Sequence, residues 1–204
     1  MSVNFPVSYC YKICYNMKGE NLLKFSSDDF LQGLWEGTNN DWIKWIHRNL
    51  SDKHCPECLM LDNCWFLRSK APPCPHHPYC HCLLKPISYD LVSKSAIAKS
   101  NYSKFDPYLF NRDGKYPHNK EKLFNSWGYT IDDSKWLQNE IEKQALQKYI
   151  EGNYKLGLLN QFGQRISIRI KIPRKNTGEM VSFTTGWSVL PNGQIKLNTP
   201  YGGK

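Results

Sequence analysis

From Gln164 to Ile172 the chain alternates strictly. Ile166, Ile168, Ile170 and Ile172 fall on one side, and Arg165, Ser167, Arg169 and Lys171 on the other. A period of two marks a half-buried β-strand, here with a basic outer face. Further strands are expected at Tyr154–Leu159, Met180–Leu190 and Gln194–Thr199, the last two joined by a Pro191-Asn192-Gly193 turn. Upstream the period lengthens. Trp136, Leu137, Ile141, Ala145, Tyr149 and Ile150 fall on the inner side of a helix that Asp132 or Asp133 would cap and that runs to about Gly152. A loop from Phe105 to His118 leads into a shorter helix over Asn119–Trp127, closed by Gly128. Two helices followed by a strand meander make an α+β domain.

The first half is patterned differently. A strand is expected over Val7–Tyr15 and helices around Ser27–Trp35 and Asp41–Leu50. In the second helix Trp42, Ile43, Trp45, Ile46 and Leu50 would form the apolar side, with Asn40 or Asp41 as cap. Residues 54–86 are rich in Cys, His and Pro and have little periodicity; Ala71-Pro72-Pro73-Cys74-Pro75 cannot sustain a hydrogen-bonded ladder. Residues 87–106 read as a polar linker. The expected architecture is therefore α+β: a small, zinc-stapled Cys/His module over residues 1–95, then a basic domain over residues 96–204 with two helices packed on an antiparallel sheet.

Charge separates the same two halves. Residues 1–95 carry 10 Lys+Arg against 9 Asp+Glu, and residues 96–204 carry 17 against 9, so the net charge of +9 belongs almost wholly to the second half. That half is suited to a polyanionic partner, either nucleic acid or an acidic protein. No apolar run approaches the roughly 18 residues that a membrane span needs, and Met-Ser-Val-Asn-Phe-Pro does not open as a secretory signal does. The expectation is a cytoplasmic protein, in its own cell or delivered into a target bacterium, with no membrane partner.

Six of the eight cysteines lie between Cys55 and Cys82; Cys10 and Cys14 fall in an aromatic, strand-like run that suits buried thiols. Cys55-Pro56-Glu57-Cys58 has the spacing of a metal knuckle, and about 20 residues later His77-Pro78-Tyr79-Cys80-His81-Cys82 offers a second one. The expected ligands are Cys55, Cys58 and His77 with Cys80 or Cys82, and the expected metal is structural zinc. Cys64 and Cys74 are weaker candidates, since burial alone explains a thiol in Asp-Asn-Cys-Trp-Phe.

These residues carry a resemblance. Cys55-Pro56-Glu57-Cys58-Leu59-Met60-Leu61-Asp62-Asn63, followed by Pro72-Pro73 and by His77-Pro78-Tyr79-Cys80-His81-Cys82, is similar to the zinc-binding end of MuF-type phage head morphogenesis (minor capsid) proteins. Asn63 stands where that family has Gly, and His81 where it has Arg. The resemblance implies phage or mobile-element ancestry, in which C-terminal toxin domains are common.

The second half resembles a C-terminal domain of polymorphic bacterial toxins, through His118-Asn119-Lys120-Glu121-Lys122-Leu123-Phe124, Trp127-Gly128-Tyr129, Thr185-Gly186-Trp187-Ser188-Val189 and Leu197-Asn198-Thr199-Pro200-Tyr201. In order of elements this domain is similar to the barnase/EndoU/colicin/RelE-like ribonucleases. The resemblance implies metal-independent cleavage of RNA, tRNA above all, and an acidic immunity protein as partner. Attack by the ribose 2′-OH needs a general base, a general acid and cations around the phosphate. His118, the only histidine after residue 95, Lys120 and Thr199 are the candidate catalytic residues. Lys122, Arg165, Arg169 and Lys171 are the candidate RNA contacts. A capping histidine, solvated lysines and an ordinary strand threonine fit the same positions, and Trp187 reads as core. Two other functions stay open: a phage-derived structural or nucleic-acid-binding protein without activity, and an enzyme whose chemistry lies at the cysteine cluster.

Overall fold

A computed structural model of the chain describes residues 41–48, 55–77, 80–116 and 118–202. The strand expected at Val7–Tyr15, with Cys10 and Cys14, and the helix expected at Ser27–Trp35 lie outside the described residues.

Over its described part, residues 41–48, the run expected as a helix from Asp41 to Leu50 is not helical. Trp42–Ile46 is a strand, β1. It is the centre of a three-stranded antiparallel sheet, between β2 (Trp65–Leu67) and β3 (Leu83–Ile87). The reason is double burial. Trp42, Ile43 and Trp45 are all in the core, so apolar residues are needed on both faces and the period-two signature vanishes. Aromatic and β-branched residues then favour the extended chain.

Residues 54–86 are also more regular than expected. Helix α1 spans Pro56–Leu61, with Pro56 in the first turn, where its missing N–H costs nothing. Pro86 is tolerated in β3 because β3 is an edge strand. The expected linker is structured too. It contains helix α2 (Tyr89–Ser95), whose cap Ser88 accepts from the Leu91 N–H, and strand β4 (Ile97–Lys99).

Beyond residue 118 the elements follow the expected order: α3 (Lys120–Ser126), α4 (Ser134–Ile150), β5 (Lys155–Asn160), β6 (Gly163–Pro173), β7 (Met180–Leu190) and β8 (Gln194–Thr199). A Thr130/Asp133 capping box starts the short 3-10 turn that leads into α4. Ile166, Ile168, Ile170 and Ile172 of β6 are buried, as are Leu137, Ile141, Ala145 and Tyr149 of α4. Trp136 is not inward: it is exposed and stacks on Tyr129 at 5.4 Å.

The sheet order is β4-β8-β7-β6-β5. It is antiparallel except that β4 runs parallel to β8, so the sheet is mixed rather than purely antiparallel. The chain is thus a mixed α and β protein with a Cys/His cluster. Residues on both sides of position 95 share one hydrophobic cluster. The Tyr149 hydroxyl donates to the Trp65 carbonyl at 2.6 Å, Leu67 N–H donates to the Tyr154 hydroxyl at 3.1 Å, and Trp42 meets Tyr149 edge-on.

Candidate functional site

Two constellations carry chemistry. The first is built on α1. Cys55 precedes the helix and Cys58 lies within it, buried, so one short helix aims both thiols at the His77–Cys82 segment. The Cys80 N–H donates to the His77 carbonyl at 3.1 Å, which keeps these two residues close. Cys58 Sγ lies 3.2 Å from His77 Nε2 and 3.7 Å from Cys80 Sγ. The ligand atoms of Cys55, Cys58 and His77, and separately those of Cys58, Cys80 and Cys82, lie within 4.8 Å of one another. All five residues expected as ligands therefore gather around Cys58.

The donor set fits a tetrahedral metal. Thiolates at the roughly 2.3 Å of a zinc–sulfur bond stand about 3.8 Å apart along a tetrahedral edge, close to the Cys58–Cys80 separation. The six cysteines in the described residues are free thiols. Burial, together with the neighbouring Cys82 and Cys80, pushes the Cys58 thiol far up, and burial with Cys80 pushes Cys82 up to about 11. Burial would raise Cys80 as well, but hydrogen bonds from its neighbours, His76 and Cys82 first, bring it below the usual thiol range. Without a cation, then, this cluster resists holding several thiolates at once. Cys64 faces elsewhere: burial raises it to about 12, and its Sγ is near the carbonyls of Met60 and Val189. Cys74 Sγ lies 3.8 Å from the Cys82 carbonyl and belongs to neither ligand group.

The second constellation joins residues far apart in the chain. Lys120, the first residue of α3, extends its ammonium to the Tyr108 hydroxyl at 2.7 Å and to Thr199 Oγ1, at the end of β8, at 3.0 Å. It also stands 4.7 Å from the centre of the Tyr108 ring. The Thr199 hydroxyl in turn donates to the Tyr201 carbonyl at 2.7 Å. Thr199 is opposite Gly186 in the β7–β8 ladder, and a Cβ at Gly186 or Gly202 would lie 3.1 or 2.9 Å from its methyl group. Two glycines thus leave the room that Thr199 occupies.

His118 sits beside this network, its ring edge-on to Tyr108 at 4.8 Å and stacked on Tyr116 at 5.9 Å. The Lys120 backbone N–H donates to His118 Nδ1 at 3.4 Å, and Nδ1 also stands 3.4 Å from Glu121 Oε2. Nε2 is buried and has no hydrogen-bonding partner among the described residues. His118, Lys120 and Thr199 are therefore neighbours. Tyr108, Tyr116 and Glu121 complete the cluster and were missed in the sequence; Glu121, three positions after His118 on a helix start, had a usable signal, whereas the loop tyrosines had none.

The candidate RNA contacts are more scattered. Lys122 is exposed on α3. Arg169 and Lys171 are exposed along β6, and Arg165 lies over the Phe162 ring at 5.8 Å. Because β7 separates β6 from β8, the β6 cations stand two strands away from Thr199. No hydrogen bond or ion pair among the described residues joins them to Lys120.

The family model of a domain of unknown function, DUF6883, matches residues 93–204, more than half of the chain. No curated protein and no solved structure matches it.

Proposed function

The chain belongs to the DUF6883 family, whose function is unknown, and we propose that it is a toxin-like ribonuclease that cleaves RNA, tRNA foremost, by 2′-OH attack without a catalytic metal. The observation that carries the reading is the convergence of Lys120, Tyr108 and Thr199 beside a histidine with an unpartnered nitrogen.

The hydrogen-bond inventory suggests the roles. An ammonium has three protons; those of Lys120 that meet Tyr108 and Thr199 leave one for a phosphate oxygen, where it offsets the charge that builds in the transition state. Thr199 has its own proton engaged with Tyr201, so it positions Lys120 rather than touching substrate. Tyr108 accepts from Lys120 and keeps its hydroxyl proton for the leaving oxygen. His118 Nε2 takes the 2′-OH proton in the tautomer whose Nδ1–H turns to Glu121 Oε2 in place of accepting from the Lys120 backbone N–H. The ring becomes reachable when a nucleobase replaces Tyr116 against it. O2′ then bonds to phosphorus and the bond from phosphorus to O5′ breaks. The products are a 2′,3′-cyclic phosphate and a 5′-hydroxyl.

In the same reading the Cys/His cluster is a structural zinc site, held by Cys55, Cys58 and His77 with Cys80 or Cys82 as fourth ligand. A closed set of thiolates and imidazole leaves no open coordination position, and the metal contributes folding energy. This arrangement, with the MuF-like and toxin-like motifs, supports phage or polymorphic-toxin origin and an acidic immunity protein as partner. The test is incubation of zinc-loaded protein with total RNA in magnesium-free buffer. Cleavage by the wild type and its loss in Lys120→Ala and His118→Ala are expected; no cleavage, or equal cleavage by the variants, would reject the assignment.

A further inference from the structure

A second concentration of charge lies outside the Lys120 cluster. Between β4, β8 and the first turn of α4 is a surface hollow of about 640 Å³, lined by Lys99, Lys135 and Lys196 together with Asn101, Tyr102 and Gln138 among others. No Asp or Glu is among the described residues that line it.

Each lysine is placed against local preference. Lys99 and Lys196 are direct partners in the parallel β4–β8 register, and both are exposed. Like charges side by side in a ladder repel. Lys135 stands in the first turn of α4, where the helix dipole disfavours a cation. Its ammonium bonds to the neutral Gln138 Oε1 at 3.1 Å. Among the described residues none of the three forms an ion pair.

Beneath them the polar network is already satisfied. Gln138 is buried, and its Nε2 donates to the Ser100 carbonyl at 3.3 Å and to its hydroxyl oxygen at 3.0 Å. Glu142 accepts from the Ser100 N–H and hydroxyl, so this carboxylate is engaged with Ser100. Tyr102, 43% exposed, presents a ring at the edge. Cations without an ion-pair partner among the described residues, over a hydrogen-bonded polar floor and beside an exposed aromatic ring, are the elements that bind single-stranded nucleic acid.

We propose that this hollow is a second phosphate-binding subsite, which holds the RNA strand at a distance from the bond being cut. The inference rests on the ribonuclease reading for its ligand. Lys196 precedes Thr199 by three positions on β8, about 10 Å along a strand, so one RNA chain can reach both Lys120 and the hollow.

The experiment is equilibrium binding of a single-stranded RNA oligonucleotide to the zinc-loaded full chain, read by fluorescence anisotropy over a salt series. A Lys99→Gln/Lys135→Gln/Lys196→Gln variant is compared with Lys70→Gln/Lys143→Gln/Lys155→Gln, which loses the same charge elsewhere. The hollow variant should bind at least about tenfold more weakly, and its salt slope should fall by about 2, as expected for three lost phosphate contacts. Its KM for RNA should rise while turnover at saturation stays the same. An unchanged affinity, an equal loss in the control variant, or a wild type that binds polyglutamate but not RNA would overturn the subsite. RNA binding through the hollow without cleavage would leave the subsite standing and reject the ribonuclease reading, so the two failures are distinct.

Discussion

The Cys/His cluster and the Lys120 cluster are assembled in opposite ways. The first draws every candidate ligand from one short stretch, Cys55 to Cys82, where helix α1 and the Cys80–His77 backbone bond bring the donors together. The second joins Lys120 to Thr199 across 79 positions, and it exists only when α3, the loop containing Tyr108 and the end of β8 are all in place. A local cluster needs little of the fold around it but does need something to hold its thiolates. A long-range cluster needs the whole sheet but no added ligand. The two meet through the core, where Trp65, Leu67 and Cys64 touch Tyr149, Tyr154 and β7.

The largest effect should come from Cys58→Ser, because Cys58 is common to both ligand groups. Zinc content should fall to background by metal analysis. The melting transition should lose several kcal/mol, against the roughly 10–16 kcal/mol of apparent zinc binding in zinc-finger peptides. Cys64→Ala, outside the ligand groups, should retain the metal. Because Cys58 and Cys82 are raised, they are protonated at neutral pH and zinc must displace their protons. Apparent zinc affinity, measured by chelator competition, should therefore fall as the solution is acidified; an affinity that rose would exclude thiolate ligation.

Next in size is Lys120→Met. Cleavage should slow by about 10²–10⁴, while zinc content stays at the wild-type level. Loss of both would mean that the clusters are not separable.

Gly193→Ala tests the joint between the regions. Gly193 has φ +74°, and an added Cβ would lie 2.5 Å from the Trp65 ring. A loss of about 1–3 kcal/mol in thermal or denaturant unfolding is expected. The smallest effect belongs to Thr199→Val, which keeps the shape but removes the acceptor for Lys120. A roughly tenfold fall in turnover with little change in KM fits a positioning residue; an unchanged rate would remove Thr199 from the account.

Legibility followed the same division. Cys-x-x-Cys and His-x-x-Cys spacing pointed to the residues that gather into groups able to hold a metal ion, because their geometry is local. Strands β6 to β8 are legible because one of their faces is buried and the other more solvated, whereas β5 at the sheet edge is exposed along nearly its whole length. Trp42–Ile46 was misread because burial on both sides erases the alternation. The run containing Ile97–Lys99 was read as linker because a three-residue strand has no period of its own and is held by its neighbour β8. Lys120 and Thr199 were named from motif order. Tyr108 was not, since a loop tyrosine acquires meaning only when the fold carries it to Lys120.

The most direct test of the central claim uses an RNA oligonucleotide with one cleavable bond and a matched copy whose nucleotide 5′ to that bond lacks the 2′-hydroxyl. Both are incubated with zinc-loaded protein in magnesium-free buffer, and the product ends are read by mass spectrometry. Attack by the 2′-hydroxyl gives a 2′,3′-cyclic phosphate from the first and no cleavage of the second. Cleavage of the 2′-deoxy copy at the same bond would contradict it.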